Sequence, residues 1–172
     1  LPVLAACLLT SETVTLENVP EIQDVLVVLE LLKNLGCTVE RSAPNTVKIT
    51  SDNIGSGSLD PELCRKIRAS ILFVGPLLAR TGHVLMAPPG GDVIGRRRVD
   101  SHFIGFKALG ARYWVDEFYH VEAEQLVGSE IFLDEQSVTA TENIIMAASM
   151  ATGTTTILNA ACEPHVQGLC RM

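Results

Sequence analysis

The sequence is short of aromatic side chains: Phe, Tyr and Trp make up 5% of its 172 residues, with a single Trp. An interior without aromatic bulk has to be filled by aliphatic packing, and 47% of the chain is hydrophobic. That balance excludes a disordered segment and fits a globular core of Leu, Ile, Val and Ala. A basic excess is also missing. Thirteen Lys and Arg against 20 Asp and Glu leave a net charge of −7, which argues against a nucleic-acid binder, because such proteins displace counterions with a basic surface. No run approaches the ~18 apolar residues of a membrane span, so no membrane partner is expected. The apolar opening "LPVLAACLL" follows no basic segment, which argues against a signal peptide. Paired cysteines are absent too. Cys7, Cys37, Cys64, Cys162 and Cys170 are odd in number with no CxxC spacing, so no metal site is expected and all five read as buried small hydrophobes in a reducing, cytoplasmic compartment. The chain begins without Met and reads as a processed or excised piece.

What is present is a repeat. Apolar helical runs end at Thr10-Ser11, Thr81-Gly82 and Thr152-Gly153, a constant step of 71 residues (10, 81, 152). After each stop comes a β-branched or alternating run, "VTLENV", "HVLMA" and "TTTILNA", as half-buried strands require. In the first two copies a second helix follows, closing at Leu35-Gly36-Cys37 and Leu109-Gly110-Ala111, where Gly suits the left-handed residue that ends a helix. Further strand-like runs come next, "TVE" with "TVKIT" and "ARYWV" with "YHVEAE". Ile67, Ile71, Val74, Leu77 and Leu78 recur at helical spacing and predict one helix through this stretch. The fold class is therefore mixed α/β (α+β) built from three helix and strand units, the third reading as incomplete at Met172.

Against the acidic background stands one basic turn, "PPGGDVIGRRRVDSH", from Pro88 to His102. Gly90-Gly91 permits positive φ and close backbone approach to a ligand, and three consecutive arginines point to a small anion. Guanidinium groups are planar, permanently charged and able to grip oxygens in pairs.

Together with "RASILFVGPLLARTG", the "LGA" helix end, and "SVTATENIIMAA" followed by "GTTTILNAACEP", this turn resembles the UDP-N-acetylglucosamine 1-carboxyvinyltransferase family, over essentially the whole chain. The resemblance implies an inside-out α/β barrel with helices inward and strands outward. It also implies that residues 1–172 form a single, incomplete enolpyruvyl transferase domain, with a second domain of the same polypeptide absent from this chain. The implied reaction moves the enolpyruvyl group of phosphoenolpyruvate to the 3′-hydroxyl of UDP-N-acetylglucosamine and releases phosphate, opening peptidoglycan precursor synthesis. No metal or other cofactor is implied. Arg68 and Arg97 match the phosphoenolpyruvate-binding positions, with Arg97 and Asp92 catalytic. Arg98, Val99, Asp100, His102, Ser137 and Val138 match the UDP-sugar side.

The departures from the family pattern are informative. Arg98 stands where Pro is common, Ser101 where Leu is usual, Thr139 replaces Gly, and Glu135 replaces a Lys found in some members. Arg98 reads either as a reach to the nucleotide phosphates or as a solvated side chain, and His102 either as a ligand contact or as a satisfied histidine at a helix start. Thr141 and Asn143 read as caps at a helix head. Two other functions remain open: a 5-enolpyruvylshikimate-3-phosphate synthase-like enzyme, and a non-catalytic sugar-nucleotide-binding paralogue, the latter motivated by Glu135 and Thr139.

Asp92 occupies the position where many family members carry a reactive cysteine. A carboxyl can still deliver or accept a proton, but it lacks the nucleophilic sulfur that the epoxide fosfomycin alkylates. The full-length protein should therefore be insensitive to fosfomycin, and Asp92→Cys should become time-dependently inactivated. Equal insensitivity of both forms in an inactivation assay would refute this reading.

Overall fold

The structure, a computed structural model, describes residues 1–91 and 98–172. Its first unit runs from α1 (Pro2–Ala6) and a 3-10 turn (Cys7–Leu9) to β1 (Val14–Leu16), α2 (Gln23–Asn34), β2 (Thr38–Ala43) and β3 (Thr46–Thr50). The second has α3 (Pro61–Cys64), a 3-10 segment (Arg68–Phe73), α4 (Val74–Thr81), β4 (His83–Met86), α5 (Asp100–Ala108), β5 (Arg112–Val115) and β6 (Tyr119–Glu122). The third has β7 (Glu130–Phe132), α6 (Val138–Ala148), β8 (Thr156–Leu158) and α7 (Pro164–Cys170).

The repeat read from the sequence is a repeat in space. Sheet order is β1-β3-β2 in the first unit and β4-β6-β5 in the second, all antiparallel neighbours. In each, the hairpin's second strand lies between its partner and the strand that precedes the helix. Val47 and Ile49 alternate inward from β3, while all four residues of β5 are exposed. The helices pack on one another inside: α6 contacts α4, α5, α7 and the 3-10 segment. Parallel pairing joins β7 to β8, and the bridges Ser58–Leu85 and Val127–Thr152 are parallel as well. Among the described residues, no helix is long and apolar enough to cross a membrane.

The two glycine stops are superposable in their bonding. After α2, Gly36 N–H donates to the Lys33 carbonyl and Cys37 N–H to that of Leu32; after α5, Gly110 N–H donates to Lys107 and Ala111 N–H to Phe106. Both glycines have φ of 99°, and this paired bonding is the Schellman closure that a left-handed residue makes possible.

Two expectations need correction. The helix predicted through Ile67 is broken: residues 68–73 are 3-10, and α-helical bonding starts at Val74. Pro76 has no N–H to donate, and its ring conflicts with the carbonyl four residues earlier, so an α-helix cannot run through this point unbroken. The cysteines also divide. Cys7, Cys37 and Cys64 are buried, and burial pushes the Cys7 and Cys64 thiols up to about 12, but Cys162 and Cys170 are exposed on and beside α7.

At the break, the interior turns polar. The Gly75 N–H donates to Asn143 Oδ1 (2.7 Å), Asn143 Nδ2 donates to the Ile71 carbonyl (2.7 Å), and the same nitrogen lies 3.0 Å from His102 Nδ1. A side chain at position 75 would collide with Asn143. Asn143 is thus no helix cap. Ser137 caps α6 through the Ala140 N–H (3.3 Å), the Thr141 hydroxyl donates to the Ser137 carbonyl (2.8 Å), and Asn143 is fully buried, tying the 3-10 segment, α4 and α5 to α6. Another buried polar side chain, Glu142, has its pKa raised by desolvation, with His165 Nε2 3.8 Å away.

Substituting Ala for either closing glycine strains the same φ, at about 1–2 kcal/mol. Only at Gly36, however, would the added methyl collide with the Asn53 carbonyl; at Gly110 the nearest oxygen, that of Gln125, is at an ordinary 3.5 Å. Urea denaturation should therefore show Gly36→Ala clearly more destabilised than Gly110→Ala. Burial holds His102 neutral down to about 3, with the nearby Arg68 charge acting in the same direction. The unfolded chain protonates this group near 6.5, so below that pH the unfolded state binds the proton first. Stability is then lost as pH falls from 6.5 towards 3, by up to about 1.4 kcal/mol per pH unit, with no contribution above 6.5. In His102→Gln the urea midpoint should fall less steeply across this window; an unchanged slope would show that His102 does not titrate as described.

Candidate functional site

Two helices begin side by side. Val99 is the N-cap of α5 and Ser137 that of α6, so the positive ends of both helix dipoles lie in one region. The basic turn enters here. Gly90 N–H donates to the Cys64 carbonyl (3.0 Å), and Gly91, with φ of 95°, lies against Arg68. The close approach expected of the diglycine is made to the chain's own Arg65–Arg68 stretch: a side chain at position 90 would collide with the Arg65 carbonyl. Asp92, Arg96 and Arg97 lie outside the described residues.

Arg68 opens the 3-10 segment, half-buried, and its Nη2 donates to the Arg98 carbonyl at 2.7 Å. This bond fixes the start of α5 relative to the diglycine. The Arg98 side chain forks between two carboxylates, Nε to Asp100 Oδ2 and Nη2 to Asp134 Oδ2, each at 2.8 Å. Those hydrogen bonds, the Asp100 bond foremost, raise its pKa further. Asp134 is held below the usual carboxylate range, first by the Ser101 hydroxyl and then by Arg98. Ser101 Oγ lies 2.9 Å from Asp134 Oδ1 and 3.2 Å from Glu135 Oε1. It is itself buried, which a Leu-sized side chain at this position would achieve without polar partners.

His102 is 1% exposed, with both ring nitrogens engaged by protein: Nδ1 by Asn143 and Nε2 by Thr139 Oγ1 at 3.2 Å. Of the two readings of this residue, the geometry matches the satisfied histidine. Arg68, Arg98, Val99, Asp100, Ser101 and His102 are thus linked through Asp134, Glu135 and Thr139 to the Ser137–Val138 start of α6. Four of the five departures from the family pattern, Arg98, Ser101, Glu135 and Thr139, fall in this one cluster; the fifth, Asp92, lies outside the described residues.

Two members were missed from sequence. Asp134 precedes a helix in a polar stretch, and nothing marks it before folding. Asn143 did carry a signal: it sits at helical spacing between Ala140 and Ala147, beside Ile144, on the buried stripe of α6, and a polar residue on such a stripe has to find internal partners. Among the described residues, no group of His, Cys, Asp or Glu is placed to hold a metal ion.

Comparison with known proteins agrees with this architecture. The chain is 54% identical over 172 residues to the UDP-N-acetylglucosamine 1-carboxyvinyltransferase of Treponema denticola, covering 100% of this chain and 40% of that protein. It is 53% identical over 169 residues to the protein of the same name from Bradyrhizobium diazoefficiens, covering 98% and 39%. The chain therefore spans about 40% of the length of the curated relatives it matches. Among solved structures, the enolpyruvyl transferase NikO from Streptomyces tendae superposes with a TM-score of 0.83 at 19% identity, covering 99% of this chain and 40% of that one. EPSP synthase from Acinetobacter baumannii superposes with a TM-score of 0.70 at 18% identity, covering 96% and 40%. At such identities the likeness shows the fold, which is that of the enolpyruvyl transferases. The family model described as EPSP synthase (3-phosphoshikimate 1-carboxyvinyltransferase) matches residues 1–172, and the chain belongs to that family.

Proposed function

We propose that this chain is most of the first domain of a cytoplasmic enzyme that transfers the enolpyruvyl group of phosphoenolpyruvate to the 3′-hydroxyl of UDP-N-acetylglucosamine, releasing phosphate for peptidoglycan precursor synthesis. The observation that carries this reading is the convergence of the α5 and α6 starts, with Arg68 bonded into the α5 entry. Helix starts and guanidinium groups together suit ligands rich in anionic oxygen, as both substrates are. The names of the relatives favour the sugar nucleotide over shikimate 3-phosphate as acceptor.

In this reading Arg68 and Arg97 hold phosphoenolpyruvate. Asp92 moves a proton to the methylene carbon or assists phosphate loss. Val99, Asp100, Ser137 and Val138 line the nucleotide side. Arg98 joins the two helix starts through Asp100 and Asp134. His102 supports this wall from within. The second domain of the polypeptide supplies the opposite wall, and closure of the cleft excludes water from the reaction.

The full-length protein should release phosphate from phosphoenolpyruvate with UDP-N-acetylglucosamine and none with shikimate 3-phosphate. Binding of the sugar nucleotide without phosphate release would replace the enzyme by a binding protein. The 172-residue chain alone should show no turnover, and a rate near that of the intact protein would contradict the need for a second wall. Arg68→Ala in the intact protein should raise the KM for phosphoenolpyruvate by about tenfold or more, the worth of a lost charge-assisted hydrogen bond; an unchanged KM would remove Arg68 from the site.

A further inference from the structure

The polar chain inside the helices has a direction that the backbone fixes. The Gly75 N–H can only donate, so the Asn143 atom it meets at 2.7 Å is the carbonyl oxygen. The other Asn143 atom is then the amide nitrogen, which gives its two protons to the Ile71 carbonyl and to His102 Nδ1. His102 Nδ1 is therefore an acceptor. A neutral imidazole that accepts at Nδ1 carries its proton on Nε2, and Nε2 faces Thr139 Oγ1 at 3.2 Å. Thr139 Oγ1 accepts this bond, leaving its own proton to point elsewhere. The contrast with Thr141 is direct, since that hydroxyl donates to the Ser137 carbonyl. Thr139 has no such acceptor among the described residues and sits half-buried in the first turn of α6.

We propose that Asn143 and His102 are positioning residues that present the Thr139 hydroxyl as a hydrogen-bond donor to an acceptor-only oxygen at the start of α6, a nucleoside diphosphate being the matching ligand class. This inference rests on the nucleotide reading given under Proposed function. It assigns Thr139, one of the departures from the family pattern, a contact that glycine cannot make. The depressed basicity of His102 supports it, because an imidazole that stays neutral keeps one tautomer throughout the working pH range. An imidazolium would also donate from Nδ1 and oppose the Asn143 amide.

The test uses the full-length protein. Nitrogen-15 spectra of labelled histidine should show His102 as the Nε2–H tautomer from neutral pH down into the mildly acidic range. Thr139→Val should raise the KM for UDP-N-acetylglucosamine about tenfold, as expected for one hydrogen bond to a charged group, with kcat changed less than about twofold. Thr139→Ser should restore the wild-type KM. Asn143→Asp places an acceptor before Nδ1, moves the proton there, and makes Nε2 accept from Thr139. If it folds, its KM should rise as in Thr139→Val, and the double variant should show no further rise. An Nδ1–H tautomer in the wild type, or an unchanged KM in Thr139→Val, overturns the inference. A wild-type protein that does not turn over the sugar nucleotide removes the reading under Proposed function and this inference with it, whereas wild-type turnover with unchanged KM in Thr139→Val removes the inference alone.

Discussion

One buried amide decides how the helices of this chain sit together. Asn143 is fully enclosed, and an amide out of water is tolerated only when its donors and acceptor are matched. Its partners come from three separate pieces of chain: the Gly75 N–H, the Ile71 carbonyl and the His102 ring. Sliding any of these pieces against α6 would leave a polar group unpaired, at roughly 1–3 kcal/mol each. Aliphatic packing supplies most of the favourable burial but is tolerant of small shifts. The amide is not, and it sets the register in which α4, α5 and the 3-10 segment meet α6.

The same constraint reaches the surface. Because His102 is fixed from below, the first turn of α5 is fixed too, and with it Val99, Asp100 and Ser101. At the rim, Asp134 gathers Arg98 and Ser101, so that carboxylates stand around the Arg98 guanidinium where two positive helix ends converge. These carboxylates offset much of the local positive potential. In the proposed reading, an anionic ligand would draw on Arg68, the helix N–H groups and hydroxyl donors more than on free surface charge, and selectivity would follow from placed donors rather than bulk attraction.

Much of this architecture was legible beforehand. The 71-residue step and the two Leu-Gly stops carry their structure locally, since a helix end and a left-handed residue are decided by neighbours in sequence. The Thr and Gly stops and the strands after them fell in place for the same reason. Where reading failed, the cause was tertiary. The helix expected through Ile67 breaks because Pro76 removes a donor, and the broken end is acceptable only because Asn143, 68 residues away, accepts from Gly75. Cys162 and Cys170 were expected inside and lie outside because α7 buries only Val166 and Leu169. Within the site, arginines and glycines announced themselves by type, whereas Asp134 acquires its part only when residues 33 and 36 positions apart are brought together.

The parallel seams between units have a consequence for how the chain reaches this state. Leu85 N–H donates to the Gly57 carbonyl and Leu59 N–H to that of Leu85, while Thr152 N–H donates to Leu126 and Gly128 N–H to Thr152. Each connector thus doubles as an edge that the following module must find after a whole helix has been laid down. Each sheet closes within its own module, but the seams that join the modules wait on contacts distant along the polypeptide. Such wiring favours slow, collective condensation over stepwise addition of finished blocks.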